Sequence, residues 1–152
     1  MIEFSNYLLN YGKEIGLPDL NFNEKGICSL SFDSKINIDI VYRKEQDQCI
    51  FAAPIGDVLA SGQENFFKRL LIANAFGIEN AGAIIGIDEE KNSVVLSYTF
   101  IASTFSFDLF KVVLNNFVNM VEEWQDKLVS IESEESSSGA GSAPQPFEYM
   151  CV

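Results

Sequence analysis

The chain has 152 residues, 47% of them hydrophobic and 12% aromatic, which suits one folded domain with a real core. Its formal net charge of −12 excludes the basic face that nucleic acid requires and opposes an anionic membrane surface. Only four of the 22 acids, Glu132, Glu134, Glu135 and Glu148, lie beyond residue 128, so the body is acidic in its own right.

The opening "MIEFSNYLLNYGKE" carries acids at positions 3 and 14 and lacks a basic segment followed by a long apolar core. It does not read as a signal peptide, and no later run is long enough to span a membrane, so membrane insertion is not expected and the cytoplasm is the expected compartment. Residues 2 to 15 instead place Phe4, Leu8, Tyr11 and Ile15 on one helical stripe. Gly16 suits the left-handed residue that closes a helix, Leu17 suits a fold back onto the last turn, and Pro18 forbids continuation.

Three strand-like runs follow. Cys28, Leu30 and Phe32 alternate with polar residues in "CSLSFD"; Ile36, Ile38, Ile40 and Tyr42 do so in "INIDIVY"; "CIFAA" comes third. Period two predicts one packed face and one facing water or a partner, and the short polar connectors predict antiparallel hairpins. A second helix is predicted from "SGQENFFKRLLIANAF", with Ser61 and Glu64 spaced as a capping box. Phe66, Phe67, Leu70, Leu71 and Ala73 make it apolar over more than one face, consistent with burial by the sheet and a second subunit or with full burial in the core.

"GAIIGID" and "SVVLSYTFI" read as a further hairpin across "EEKN". A last helix is predicted over roughly 106 to 128, capped by Ser106, with Phe110, Val113, Phe117, Val121, Trp124 and Leu128 as its apolar stripe. Residues 129–152 are rich in Ser, Gly, Pro and Glu and are expected to form a disordered acidic tail, whose closing "PFEYMCV" is a candidate docking element. The prediction is one α+β domain over residues 1–128 in the order α-β-β-β-α-β-β-α, an antiparallel sheet with flanking helices.

The residues offer little chemistry. With no histidine, the usual general base, the Ser-His and Cys-His pairs and most transition-metal sites are missing. Cys28, Cys49 and Cys151 are odd in number and form no CxxC pair, which indicates neither a disulfide framework nor a zinc site, and no cofactor is implied. Asp88, Glu89 and Glu90 cluster in "GIDEEKNS" without the alternating acids of a calcium loop, and "GAIIG" lacks the Lys-Ser of a phosphate loop. No catalytic residue is nominated. Two other classes fit the same framework: a ligand-binding or enzymatic α+β domain, and a non-secretory adaptor that binds a folded partner.

Several collinear segments carry a resemblance. "LLNYGKEIGLPDLNFNEKGICSLSFD", "FAAPIGDVLASG", "FFKRLLIANAF", "GAIIGIDEEKNSVVLSYTF" and the late Trp124 together resemble the type III secretion chaperones of the Tir-chaperone (CesT-like) group, class I effector chaperones of Gram-negative bacteria. The long Ser/Gly/Pro tail departs from many members. The resemblance implies a homodimer that is not an enzyme and that holds the N-terminal segment of a secreted effector in extended form, with the secretion-system ATPase as a further partner. It implies Phe67, Leu70, Leu71, Asn74, Ile84 and Ile85 as the dimer interface. Phe4, Leu8, Leu30, Phe32, Ile38 and Ile40 are the residues expected to line an effector-binding groove between the first helix and the strands.

Overall fold

The computed structural model describes residues 3–77 and 80–137. Helix α1 (Ser5–Ile15) precedes β1 (Ile27–Phe32), β2 (Ile36–Arg43) and β3 (Gln48–Asp57). Then come α2 (Gln63–Asn74), β4 (Ile84–Asp88), β5 (Ser93–Ile101) and the long α3 (Phe107–Ser137). The five strands form one antiparallel sheet in the order β1-β2-β3-β5-β4. This is the α+β order read from the sequence.

The first helix stops as its residues require. Gly16 adopts φ 82°, and the Leu17 N–H donates to the Gly12 carbonyl at 2.7 Å. The chain then doubles back so tightly that a Cβ on Gly12 would collide with the Leu17 carbonyl oxygen and the Leu20 side chain. Gly12 is thus a close-approach glycine inside a helix, where Ala would otherwise be preferred. The stripe is Phe4, Tyr7, Leu8 and Tyr11, while Ile15 is exposed.

Alternation puts Cys28, Leu30, Ile36, Ile38, Ile40, Cys49, Phe51, Ala53, Val94, Leu96 and Phe100 on one face of the sheet, buried beneath the helices. Ile55 continues that alternation into the core, and the bulge between Pro54 and Gly56 then brings Gly56 opposite Val94, where a Cβ would crowd Leu128 of α3. Phe51 and Phe110 touch across the layers, with rings 5.8 Å apart, and Phe4 meets Phe110 edge-on at 5.6 Å. Among the described residues, no helix covers the opposite sheet face.

Two local expectations are corrected. The Ser61/Glu64 capping box does not form: α2 begins at Gln63 behind Gly62, which is left-handed at φ 68° and makes no side-chain cap. The Glu135 carboxylate sits there instead, bonded by Asn65 and close enough to crowd any Cβ on Gly62, and a carboxylate suits a helix N-terminus. The last helix does not stop near 128 but runs to Ser137, so residues 129–137 are helix rather than tail.

The reasons are visible. Ile131 continues the buried stripe of Val121, Trp124 and Leu128, and Arg69 pairs with Glu134 at 2.5 Å. Ser130, Ser133 and Ser136 donate their hydroxyls to carbonyls four residues back, which lets serine sit within a helix. Ser106 does cap α3 as read, accepting from the Leu109 N–H at 3.2 Å. The rest of the tail, residues 138–152, lies outside the described residues.

Candidate protein-binding surfaces

Of the six residues expected to line a groove, Phe4, Leu8, Leu30, Ile38 and Ile40 are core, and Leu8, Ile38 and Ile40 are fully inaccessible. Phe32 is half-buried at the end of β1. This corrects the expectation of an open groove between α1 and the strands: α1 and α3 close over that face, with Phe4, Tyr7 and Tyr11 packed against Phe110. The alternation identified which residues share a face, but the helices cover that face.

The uncovered face is therefore where this sheet meets its surroundings. The register aligns Ile27, Val41 and Ile50 as one apolar row across β1, β2 and β3. Ala52, Pro54 and Val95 extend it toward β5, and Ile84 stands at 61% exposure on β4. Ser29 and Asp39 are hydrogen-bonded at 2.5 Å on this face. This face is thus a partly exposed apolar strip edged by polar side chains.

The two sheet edges are unequal. On β4, Asn74 accepts from the Ile85 N–H and donates to the Ile85 carbonyl, each at 2.8 Å, so one side chain takes the place of a pairing strand. The Ala83 N–H is also taken, by the Asn80 carbonyl at 2.7 Å. On β1, the Ile27 amide and carbonyl are satisfied by Asn23, which fixes the parity of the strand. The backbone groups of Ser29 and Ser31 share that parity and point outward, away from β2. The β4 edge is plugged at its centre; the β1 edge is open to another extended chain.

Behind Asn74 lies a buried polar latch. Asn80, fully inaccessible, accepts from Trp124 Nε1 at 3.0 Å and donates to the Ala73 carbonyl at 3.2 Å and to Asn74 Oδ1 at 3.4 Å. The late tryptophan of α3 thereby fixes the end of α2 and, through Asn74, the edge of β4. Sequence reading named Trp124 and Asn74 but missed Asn80, since one asparagine in a loop carries no periodic signal.

The six residues expected at a copy-to-copy interface divide. Leu70 and Ile85 are buried, Phe67 and Asn74 half-buried, and Leu71 and Ile84 exposed at 69% and 61%. Phe76, which the sequence did not nominate for this role, is 95% exposed and held at φ 62°, an uncommon backbone position for a bulky residue. Leu71, Phe76 and Ile84 make the region around α2 and β4 apolar at the surface.

No group of three or more potential metal ligands occurs among the described residues. Burial raises the pKa of Cys28 and Cys49, with a further push on Cys28 from the Asp39 carboxylate. Both thiols are held as thiols, the reverse of an activated nucleophile. No helix among the described residues is long and apolar enough to cross a membrane.

The fold is a five-stranded antiparallel sheet with helices packed on one face and with one face and one edge left open. The chain belongs to the Tir chaperone protein (CesT) family, whose sequence profile matches residues 6–125. The transcriptional anti-antiactivator ExsC of Pseudomonas aeruginosa is 25% identical over 134 residues, 88% of this chain and 91% of that protein. The solved ExsC–ExsE complex contains a chain of similar fold, at a TM-score of 0.72 and 24% identity, over 82% of this chain and 96% of that one.

The HopA1–SchA chaperone–effector complex matches at a TM-score of 0.67 and 16% identity, over 81% of this chain and 94% of that one. The Yersinia pestis type III secretion chaperone SycH, solved with a fragment of YscM2, matches at 0.61 and 17%, over 80% and 98%. At these identities the solved structures establish the fold. The resemblance read from the sequence is thus a family membership.

Proposed function

We propose that this chain is a cytoplasmic type III secretion chaperone that acts as a homodimer and keeps the N-terminal segment of a secreted effector extended and secretion-competent. The client adds a strand at the open β1 edge and lays apolar side chains across the row of Ile27, Val41 and Ile50. The observation that carries this reading is the inequality of the edges: β4 is plugged by Asn74, and β1 offers Ser29 and Ser31 backbone groups beside an uncovered apolar row. Leu71, Phe76 and Ile84 then form the surface a second copy covers. Delivery of the loaded client to the secretion-system ATPase belongs to the same reading.

The test pairs purification with substitution. The untagged chain is purified with its bound protein from its native cytoplasm, and the mass of the complex is measured by light scattering. The expected result is two copies of this chain with one client whose N-terminal segment resists protease. Val41→Asp and Ile50→Asp, on the open face, should lose the client with little change in thermal stability. Retention of the client by both, or a complex built on a monomer, contradicts the proposal.

A second reading is favoured by one relative in particular, a transcriptional regulator matched over 91% of its length. In it the partner is a folded regulatory protein, held intact. A bound partner that stays globular to protease would select it over the secretion reading.

A further inference from the structure

A groove of about 560 Å³ runs between α2 and the C-terminal half of α3. Ile72, Trp124 and Ile131 give it an apolar floor, and Arg69, Asp126 and Lys127 stand at its sides. The charges balance: Arg69 pairs with Glu134, and Lys127, whose cation lies 4.7 Å from the centre of the Trp124 ring, is matched by the Asp126 carboxylate beside it in sequence. Such a site selects neither an acidic nor a basic occupant. An uncharged aromatic group, seated between an indole and aliphatic side chains, is the chemistry it suits.

A group of that kind stands nearby. Phe76 follows Ile72 by four residues, just past the end of α2, and is 95% exposed. Its φ of 62° is a conformation that a bulky side chain seldom takes. The turn that carries it is nonetheless anchored. The Gly82 N–H donates to the Gly77 carbonyl at 3.4 Å, and Asn80 donates to the Ala73 carbonyl while accepting from Trp124, which floors the groove. One latch thus fixes both the projecting ring and the groove. Phe76 does not line the groove of its own chain.

We propose, on the homodimer reading above, that Phe76 of each copy enters the α2–α3 groove of the other and packs on Trp124. Symmetry favours a second copy as the occupant. A projecting ring and a groove at the same end of one helix are brought together twice by a single two-fold axis, so each copy gives and receives the same contact. The contact also accounts for a backbone position unfavourable to a bulky residue, held for a ring left in solvent by its own chain. Because ring and groove are both fixed in advance, little freedom is lost on pairing.

Two single variants of the full chain test this. Phe76→Gly removes the ring at a backbone position that glycine takes readily, and Ser130→Arg lays a long charged side chain across the groove from an exposed site. Both should keep the far-ultraviolet circular dichroism of the natural chain. Sedimentation over a dilution series should show the two-copy form of each variant weakened by about tenfold or more. In an equimolar mixture of isotope-labelled F76G and unlabelled S130R, the ring of S130R still meets the intact groove of F76G. Native mass spectrometry should therefore show the mixed pair to be about tenfold tighter than either variant paired with itself.

Dissociation of both variants within about twofold of the natural chain, or a mixture that pairs only in statistical proportion, would overturn the contact and leave the homodimer standing. A natural chain that stays a single copy throughout the dilution series would overturn both. An S130R dimer as tight as the natural one that no longer holds the co-purified client would assign the groove to the client, and would overturn the contact as well.

Discussion

Removal of the Asn80 side chain is the sharpest stability test of this fold. Asn80→Ala leaves the Trp124 indole N–H, buried at 4% residue exposure, without its acceptor, and takes donors from the Ala73 carbonyl and from Asn74 Oδ1. An orphaned buried donor costs about 1–3 kcal/mol, and two partly compensated acceptors raise the expected loss to roughly 2–4 kcal/mol. The assay is urea unfolding followed by far-ultraviolet circular dichroism at one fixed protein concentration, which holds any contribution from association constant.

Trp124→Phe in the same assay completes a double-mutant cycle. If the indole–amide bond is the main source, Asn80→Ala costs at least about 1 kcal/mol less in the Trp124→Phe background than in the natural chain. A loss below about 0.5 kcal/mol for Asn80→Ala, within the range of ordinary surface changes, would refute the latch. So would an identical loss in both backgrounds.

Four further outcomes follow from the geometry. Gly12→Ala should lower stability by about 1–3 kcal/mol, despite alanine's helix propensity, because its methyl meets the Leu17 carbonyl; a stabilised variant in thermal unfolding would contradict this. Ile131→Ala should cost about 2–4 kcal/mol in urea unfolding, a core value for a position that composition assigns to a tail, and a cost near zero would return it there. Leu71→Asp combined with Ile84→Asp should shift the light-scattering mass toward one copy while leaving circular dichroism unchanged; an unchanged mass would remove that patch from the interface. Burial raises the Cys49 pKa above the ordinary 9.0, so above pH 9 the unfolded chain loses that proton first and stability falls with rising pH; Cys49→Ala should flatten that slope, and an unchanged slope would assign it to other groups.

The fold was legible because its signals are local. Gly16 and Pro18 ended a helix, alternation in "INIDIVY" marked a half-covered strand, and short polar turns made hairpins of what lay between. The pairing of β3 with β5, which sets the strand order, was not legible, since it joins residues far apart and no turn encodes it. Side-chain bonds over long sequence separations were equally silent: Glu135 displaced the Ser61 cap, and Glu134 with Ile131 carried α3 past the point where serines dominate the composition.

Five of the six groove candidates lie buried beneath the helices. Period two groups Leu30, Ile38 and Ile40 correctly, but apolar character marks the face the protein covers for itself. The uncovered row pairs Val41 and Ile50 with polar neighbours along each strand, and only the register reveals their continuity. Leu71, proposed for the copy surface, is apolar yet exposed on α2 and so breaks its amphipathic pattern, which is a local signal.

Hydrogen–deuterium exchange on the chain alone and in complex with its co-purified client tests the central claim most directly. The account predicts new protection at the outward amides of β1, Ser29 and Ser31, and in the N-terminal segment of the client, with β4 unchanged at Ile85. Protection confined to the helices, with β1 exchanging as freely as in the unbound chain, would contradict it.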